Sequence, residues 1–532
     1  MTTITPDPRD PAAVQRSITS AYAGGNRDIT IAPGTYPVGL GLLGTHLFLS
    51  GLRGLSLNCQ GVTFVFADSR KPGLWLNACQ GVAINGLTLR NATPPYTQGQ
   101  ITWISNDRLA LDISLHAGYP QNFDDANYFT PIYTGYVFDR ITRVWKNDAT
   151  DFPIMARTRT GANTFRLTVA PTGLPATAVG DLVAFRGAGT GATLMLANCD
   201  SCRLESVSIL GGAFVCFAEA FGRGNHQYDG CSIGYDTPAG AIEPPLLSSI
   251  ADGLNSNSVG IGPSVTNCNF TGLADDGIAI HGFYGRVVDG QLTVQLPQIN
   301  YLVPGDALRF YDAAGVFIGA TNVVACSSGT TAKLTIADKL SIPAGAMFDS
   351  PSHNGAGFRL AGNRITNHRG RGIYVSASDG TIDNNTIEGS TIAGIVVGPD
   401  QITAQAGYSS RVRITNNTIR HVGYSTVGDD FPQVGGISVI QSRPFVGPAK
   451  PVPPQHTDIR IVGNTIEDVA GIQIAAEGVR GLTVDQNTFI DPKAGTRGSK
   501  AGWDDSKLID VANCEGVEAS GNTVQRTEPV EV

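Results

Sequence analysis

One corner motif returns six times in the last third of the chain: "NRIT" at Asn363, "NTIE" at Asn385, "NTIR" at Asn417, "NTIE" at Asn464, "NTFI" at Asn487 and "NTVQ" at Asn522. The intervals are 22, 32, 47, 23 and 35 residues. The short intervals set a basic coil, and the long ones are coils carrying loop insertions. A second apolar run follows most copies: "RGIYVSA", "AGIVVGP", "GGISVIQ" and "AGIQIAA". Upstream, "LSLNCQGVTFVF", "VAINGLTLRN" and "VTNCNFTGLADDGIAIHG" keep the same beat. Short strands with Asn and Gly at the corners specify a parallel β-helix, in which each coil buries its inward residues on its neighbours. Asn can ladder its side-chain amide along such a corner. A β-sandwich also has many short strands, but it gives no reason for a recurring corner.

The expected fold class is therefore all-β: a right-handed parallel β-helix with an N-terminal capping helix and two small inserted β-barrel-like domains. "DPAAVQRSITSAYAGG" supplies the cap, with Asp10 as N-cap, Pro11 in the first turn, and Val14, Ile18 and Tyr22 on one face. Residues 94–191 and 283–356 break the beat and share "VGDLVAFRG" at Asp181 and "PGDALRFYD" at Asp306. The expected domains are 1–93, 94–191, 192–282, 283–356 and 357–532. The 65 glycines and only 15% charged residues fit a turn-rich β-protein. A net charge of −8 without a basic run excludes a nucleic-acid footprint, and no apolar run is long enough to span a membrane. The N-terminus shows no signal peptide, so compartment stays open between cytoplasmic and secreted with the signal removed. Nine cysteines are an odd number for a disulfide framework; they read as small apolar residues packed at turns, Cys199 and Cys202 included.

The chemistry concentrates in two stretches, "IADGLNSN" (250–257) and "DDGIAIHG" (275–282). Their D-G-apolar elements match at an offset of 24 residues, about one coil, so Asp252 is expected to stack on Asp276. Ile278 and Ile280 point into the core. By period two, Asp275, Gly277, Ala279 and His281 face outward. Three carboxylates so gathered cannot all ionise cheaply, and at least one must hold its proton unusually tightly. An acid beside ionised carboxylates is what glycoside hydrolysis requires. With the second insertion excised, "RGRGIYV" stacks on "ADDGIAI" and sets Arg371 over Asp276. His281 on the same wall, Glu219 in "CFAEAFGRG" and His226 in "GNHQYDG" are further candidates for substrate binding.

These motifs resemble the inverting β-helical glycosidases. The polygalacturonases of glycoside hydrolase family 28 carry a similar "NTDG…DDCIAI" pair. The α-1,3-galactosidases of glycoside hydrolase family 110 are closer, with an "ADG…DD.INVHG" run, small β-barrel insertions and an "RGI" coil that matches "GRGIYVS" at Arg371. Ala279 stands where that family has Asn. The resemblance implies an inverting glycosidase acting on an α-linked terminal sugar such as galactose, and the two insertions, which would wall off an otherwise open groove, point to exo action. It implies Asp275 as general acid, Asp252 and Asp276 as the pair that holds and deprotonates water, and Arg371 as the group that keeps the base ionised or grips a sugar hydroxyl. It implies no metal and no cofactor. The expected partner is a carbohydrate substrate; nucleic acid and membrane are not, and a homo-oligomer stays open. Two alternatives remain: a polysaccharide lyase or uronate epimerase on the same fold, and a non-catalytic glycan-binding tailspike or adhesin.

Overall fold

The computed structural model describes residues 2–129, 133–149, 151–171, 173–290, 292–298, 301–400, 402–425, 434–441, 453–495 and 503–527. Among the described residues, parallel strands stack into two long sheets, one of 23 strands and one of 11 with a short antiparallel strand at its side. Two short strands of each coil lie in the larger sheet and one in the smaller. One coil, for example, runs through Arg359–Ala361, Arg364–His368 and Arg371–Val375, and the next begins at Thr381–Asp383. Inward Ile and Leu form one continuous core from Val14 in the N-terminal helix to Phe489 near the other end.

The corner motif has a two-part physical cause. Its first residue (Gly362, Asn384, Asn416, Gly463, Gln486 or Gly521) adopts a left-handed backbone with φ of 54° to 68°. Gly and Asn tolerate that conformation best. Its second residue is the laddered Asn. Asn363 Nδ2 donates to Asn385 Oδ1, Asn385 to Asn417, Asn417 to Asn464, Asn464 to Asn487 and Asn487 to Asn522, all at 2.9–3.0 Å. Each amide oxygen also accepts the backbone N–H of the preceding Asn in the ladder. Buried amides are thus satisfied by their own kind, coil after coil.

The helix spans Ala13–Ala23, two residues later than the sequence predicts. Its N-cap is Ala12, because the Asp10 carboxylate accepts the Ala12 N–H in a turn that precedes the helix. Val14 and Ile18 are buried as expected, and Tyr22 is half-buried.

Both insertions close into six-stranded antiparallel barrels, with strands between Tyr96–Ile104 and Leu182–Arg186 in the first and between Gly285–Val287 and Met347–Asp349 in the second. Each has a hydrophobic core of its own. The shared G-D motif performs one job in both. Gly180 and Gly305 sit at φ of 96° and 99°. Asp181 and Asp306 then accept the N–H three residues upstream, from Ala178 and Val303, at 2.7 Å just before a barrel strand. By Ala356, which bridges Ile261, the chain has rejoined the coil. All nine cysteines are free thiols. Cys199 is fully buried and its Sγ donates to the Ala197 and Leu76 carbonyls, which is core packing at a turn.

Candidate active site

The register of the smaller sheet fixes the site. Leu254 pairs with Ile278 and Ile278 with Ile373 in parallel. Two residues earlier on each coil, the same register lines up Asp252, Asp276 and Arg371. The Gly253 N–H donates to Asp276 O, and the Gly277 N–H to Arg371 O, both at 2.9 Å.

Glycine follows each stacked residue for a steric reason. A Cβ on Gly277 would lie 2.4 Å from Gly372 O and 2.6 Å from Ile365 Cγ2, the core isoleucine of a corner motif. Gly253, Gly372, Gly394 and Gly436 face core side chains in the same way. This corrects the period-two expectation that Gly277 faces outward. Gly277 and Ile278 both turn inward, and that break in alternation leaves Asp276 on the outer wall with Ala279 and His281.

Arg371 grips Asp276 closely. Its backbone N–H and Nε reach Oδ1 at 2.8 and 2.9 Å, and Nη2 reaches Oδ2 at 2.5 Å. Nη1 binds Asp400 Oδ2 at 3.2 Å, and the guanidinium lies 4.0 Å from the centroid of the Tyr374 ring. The Asp276 side chain is 4% exposed and that of Asp275 is 40% exposed, so of the adjacent pair only Asp275 opens to the cleft. Arg369 Nη1 lies 3.9 Å from Asp275 Oδ1 and is itself tied, through Nε at 2.6 Å, to Asp151 of the first barrel. Burial, reinforced by the charges of Asp275 and Asp276, holds the Asp252 carboxyl well above its ordinary value. Asp275 is also raised, by burial and by Asp276, with Arg369 opposing. Asp252 and Asp275 thus hold protons more tightly than isolated aspartates would.

Asn255 and Gln405 were not singled out in the sequence, yet both belong to the site. Asn255 Nδ2 donates to Asp252 Oδ2 at 2.7 Å and lies 3.5 Å from His281 Nε2. His281 Nδ1 is 3.0 Å from Gly282 O, which can only accept, so the ring proton sits there and Nε2 is the acceptor. The Gln405 amide reaches the same Nε2 at 3.3 Å. Burial pushes the imidazole down to about 4, so it is neutral at ordinary pH. His281 is 1% exposed and serves amides of the protein rather than facing open cleft. Residues Gln405–Ala406 return antiparallel to Gly282–Phe283, and one short turn thereby carries both Asp400 to Arg371 and Gln405 to His281. Asn255 was legible as a polar residue three positions after Asp252. Gln405 lies about 120 residues from its partner and has no local signal.

Two expected ligands lie elsewhere. Glu219 is wholly buried inside the coil, where it accepts from Ser256 Oγ at 2.6 Å and Tyr228 Oη at 3.1 Å. It pairs with Ser256, whose register partner is the inward Ile280, so the pleat turns it away from the cleft. His226 is 1% exposed and accepts the Cys202 N–H at 3.0 Å on Nδ1. Both are interior polar residues and neither can touch a substrate in the cleft. Among the described residues no group of three or more His, Cys, Asp or Glu is arranged to hold a metal ion.

The chain is 25% identical over 240 residues to α-1,3-galactosidase B of Bacteroides thetaiotaomicron, a match covering 42% of this chain and 38% of that enzyme. Among solved structures, an exopolygalacturonase from Thermotoga maritima aligns with a TM-score of 0.45 and 11% identity over 98% of this chain and 92% of its own. A mutant tailspike protein of E. coli bacteriophage HK620, bound to a pentasaccharide, aligns with a TM-score of 0.44 and 10% identity over 98% and 64%. The family model described as the right-handed β-helix region matches residues 252–524, just over half of the chain. With its parallel coils, capping helix and laddered corners, the chain belongs to the right-handed β-helix family.

Proposed function

We propose that the protein is a glycoside hydrolase that removes an α-linked terminal sugar, galactose or a close relative, with inversion of the anomeric centre. The observation that carries the reading is the convergence of Asp252, Asp275 and Asp276 on one outer wall, with Arg371 clamped on Asp276. The local likeness to a galactosidase adds the sugar class.

Asp275 opens to the cleft and has a raised carboxyl, which suits a general acid that protonates the leaving oxygen. The Arg371 guanidinium and backbone N–H fix the Asp276 carboxyl in place next to the water site. Asp252 holds the Asn255 amide on one oxygen and can take a water on the other. Water between Asp252 and Asp276 then attacks the anomeric carbon from the face opposite Asp275, passing a proton to the Asp252 carboxylate while Asp275 gives its own to the leaving oxygen. Inversion requires carboxyls roughly 6.5–9.5 Å apart across the scissile bond. The way the wall continues supports exo action. Beyond Asp276 its outward positions are filled by Ala279, Tyr374, Val396 and Ile440, all buried, so no polymer can run through on that side.

Proton NMR of the first-formed sugar tests the mechanism. The product of an α-glycoside should appear as the β-anomer. A retained anomer, or transfer to added methanol, would mean that an aspartate attacks carbon directly. Activity lost in chelator and restored by Ca²⁺, with an unsaturated product, would favour the lyase alternative.

A further inference from the structure

The outer wall is closed beyond Arg371 but open in the other direction. From the coil of Asp252 back towards the N-terminus, the outward positions of successive coils are Asn255, Ala218, Met195 and Trp75, paired strand by strand, with Leu and Phe neighbours turned inward. These residues floor a groove, with Phe214 and Phe221 among its sides and Gln298 contributed by the second barrel. Phe221 stacks on Tyr301 of that barrel at 5.9 Å and 26°, which fixes this side of the groove. From the Asn255 strand to the Trp75 strand is three strand steps, roughly 14 Å. That is longer than one sugar ring.

The groove is joined to the aspartates by a chain of amides. Asn257 Nδ2 donates to Asn255 Oδ1 at 3.3 Å, and Asn255 Nδ2 donates to Asp252 Oδ2 at 2.7 Å. Two buried polar atoms along it, Trp75 Nε1 and Asn257 Oδ1, have no protein partner. No charged side chain lines the groove among the described residues. Aromatic and aliphatic surface with a few amides suits the apolar face and hydroxyls of a neutral pyranose. A uronate there would bring its carboxylate against apolar walls with no cation to meet it.

We infer that this groove is the binding site for the saccharide on the far side of the scissile bond, and that the saccharide is neutral and at least two rings long. The inference rests on the proposed glycosidase reading: the terminal sugar occupies the closed end over Asp275 and Asn255, and the remainder lies along Ala218 and Met195 towards Trp75.

The test compares kcat/KM for a neutral trisaccharide with that for the aryl monoglycoside of the same terminal sugar, in wild type and in Trp75→Ala. The trisaccharide's advantage should shrink on the order of tenfold in the variant, mostly through KM. Phe221→Ala serves as the second probe if Trp75→Ala loses its β-sheet circular dichroism, and it should shrink the same ratio. An unchanged ratio in a folded variant overturns the inference. So does a uronate-containing trisaccharide that is cut as well as the neutral one. If the wild type cleaves no glycoside at all, the hydrolase reading fails, and titration calorimetry then decides the groove separately. Binding of the neutral trisaccharide that Trp75→Ala weakens supports it, and binding insensitive to that change overturns it.

Discussion

At the residue scale the three aspartates differ because their neighbours differ. Asp276 is saturated by Arg371, Asp252 is held by one amide, and Asp275 keeps an exposed edge. Asp275→Asn should therefore lower turnover by about 10²–10⁴-fold for poor leaving groups, the range expected for loss of a general acid. Activated aryl glycosides, which need little protonation, should lose far less. Steady-state kinetics on aryl glycosides of graded leaving-group acidity checks this. A loss that is flat in Asp275→Asn but graded in Asp252→Asn would transfer the acid role to Asp252. His281 and Asn255 show why such roles resist a reading from single residues. The outward His was expected to meet substrate, yet a carbonyl on one nitrogen and amides on the other make it a support for protein groups.

At the scale of elements, the strands that carry the site are ordinary coils, and the insertions give it walls. The first barrel reaches the site through Asp151 on Arg369, the second through Gln298 and the Tyr301 that backs Phe221. Since the second barrel has its own core, replacing residues 284–349 by a short flexible linker should leave a soluble β-helix. Its far-ultraviolet dichroism should remain that of a β-protein, and its activity on oligosaccharides should fall more than on aryl monoglycosides. A remainder that aggregates would show that the barrel is needed to hold the coil of Asp276 against that of Arg371.

At the scale of the whole molecule, three of the imidazoles that the β-helix buries, His281, His368 and His456, are each pushed by burial down to about 4 from an ordinary 6.5. The folded state keeps them neutral, whereas the unfolded chain takes up their protons below about pH 6.5. Stability therefore falls as pH drops from 6.5 towards 4, by about 1.4 kcal/mol per pH unit for each histidine. The raised carboxyls of Asp252 and Asp275 work in the opposite sense and blunt the total. His456 lies apart from them, accepting from the Ser409 N–H at 3.0 Å and bonded to Ile440 O at 2.8 Å. A Gln there can both donate and accept. His456→Gln should make the thermal midpoint less sensitive to pH between 6.5 and 4.5, as differential scanning fluorimetry would read. An unaltered slope would mean that folding leaves the proton affinity of His456 unchanged, so that the folded state charges it as readily as the unfolded chain does.

The sequence by itself determined the coil. Its corner needs a left-handed residue followed by a laddering amide, and few residue types satisfy both, so Asn363 to Asn522 announce the fold without any contact being known. One-coil periodicity also made the stacking of Asp252, Asp276 and Arg371 legible, because parallel register carries an offset in sequence directly into adjacency in space. Tertiary structure decided what periodicity cannot encode. Packing of Gly277 against Ile365 reversed the expected alternation at the site, and the interior of the coil claimed Glu219 and His226. The turn at Asp400–Gln405 and the barrel residue Asp151 reach the site from about 30 to 220 residues away along the chain. Contacts of that kind depend on where loops land rather than on any repeating step, and local pattern holds no record of them.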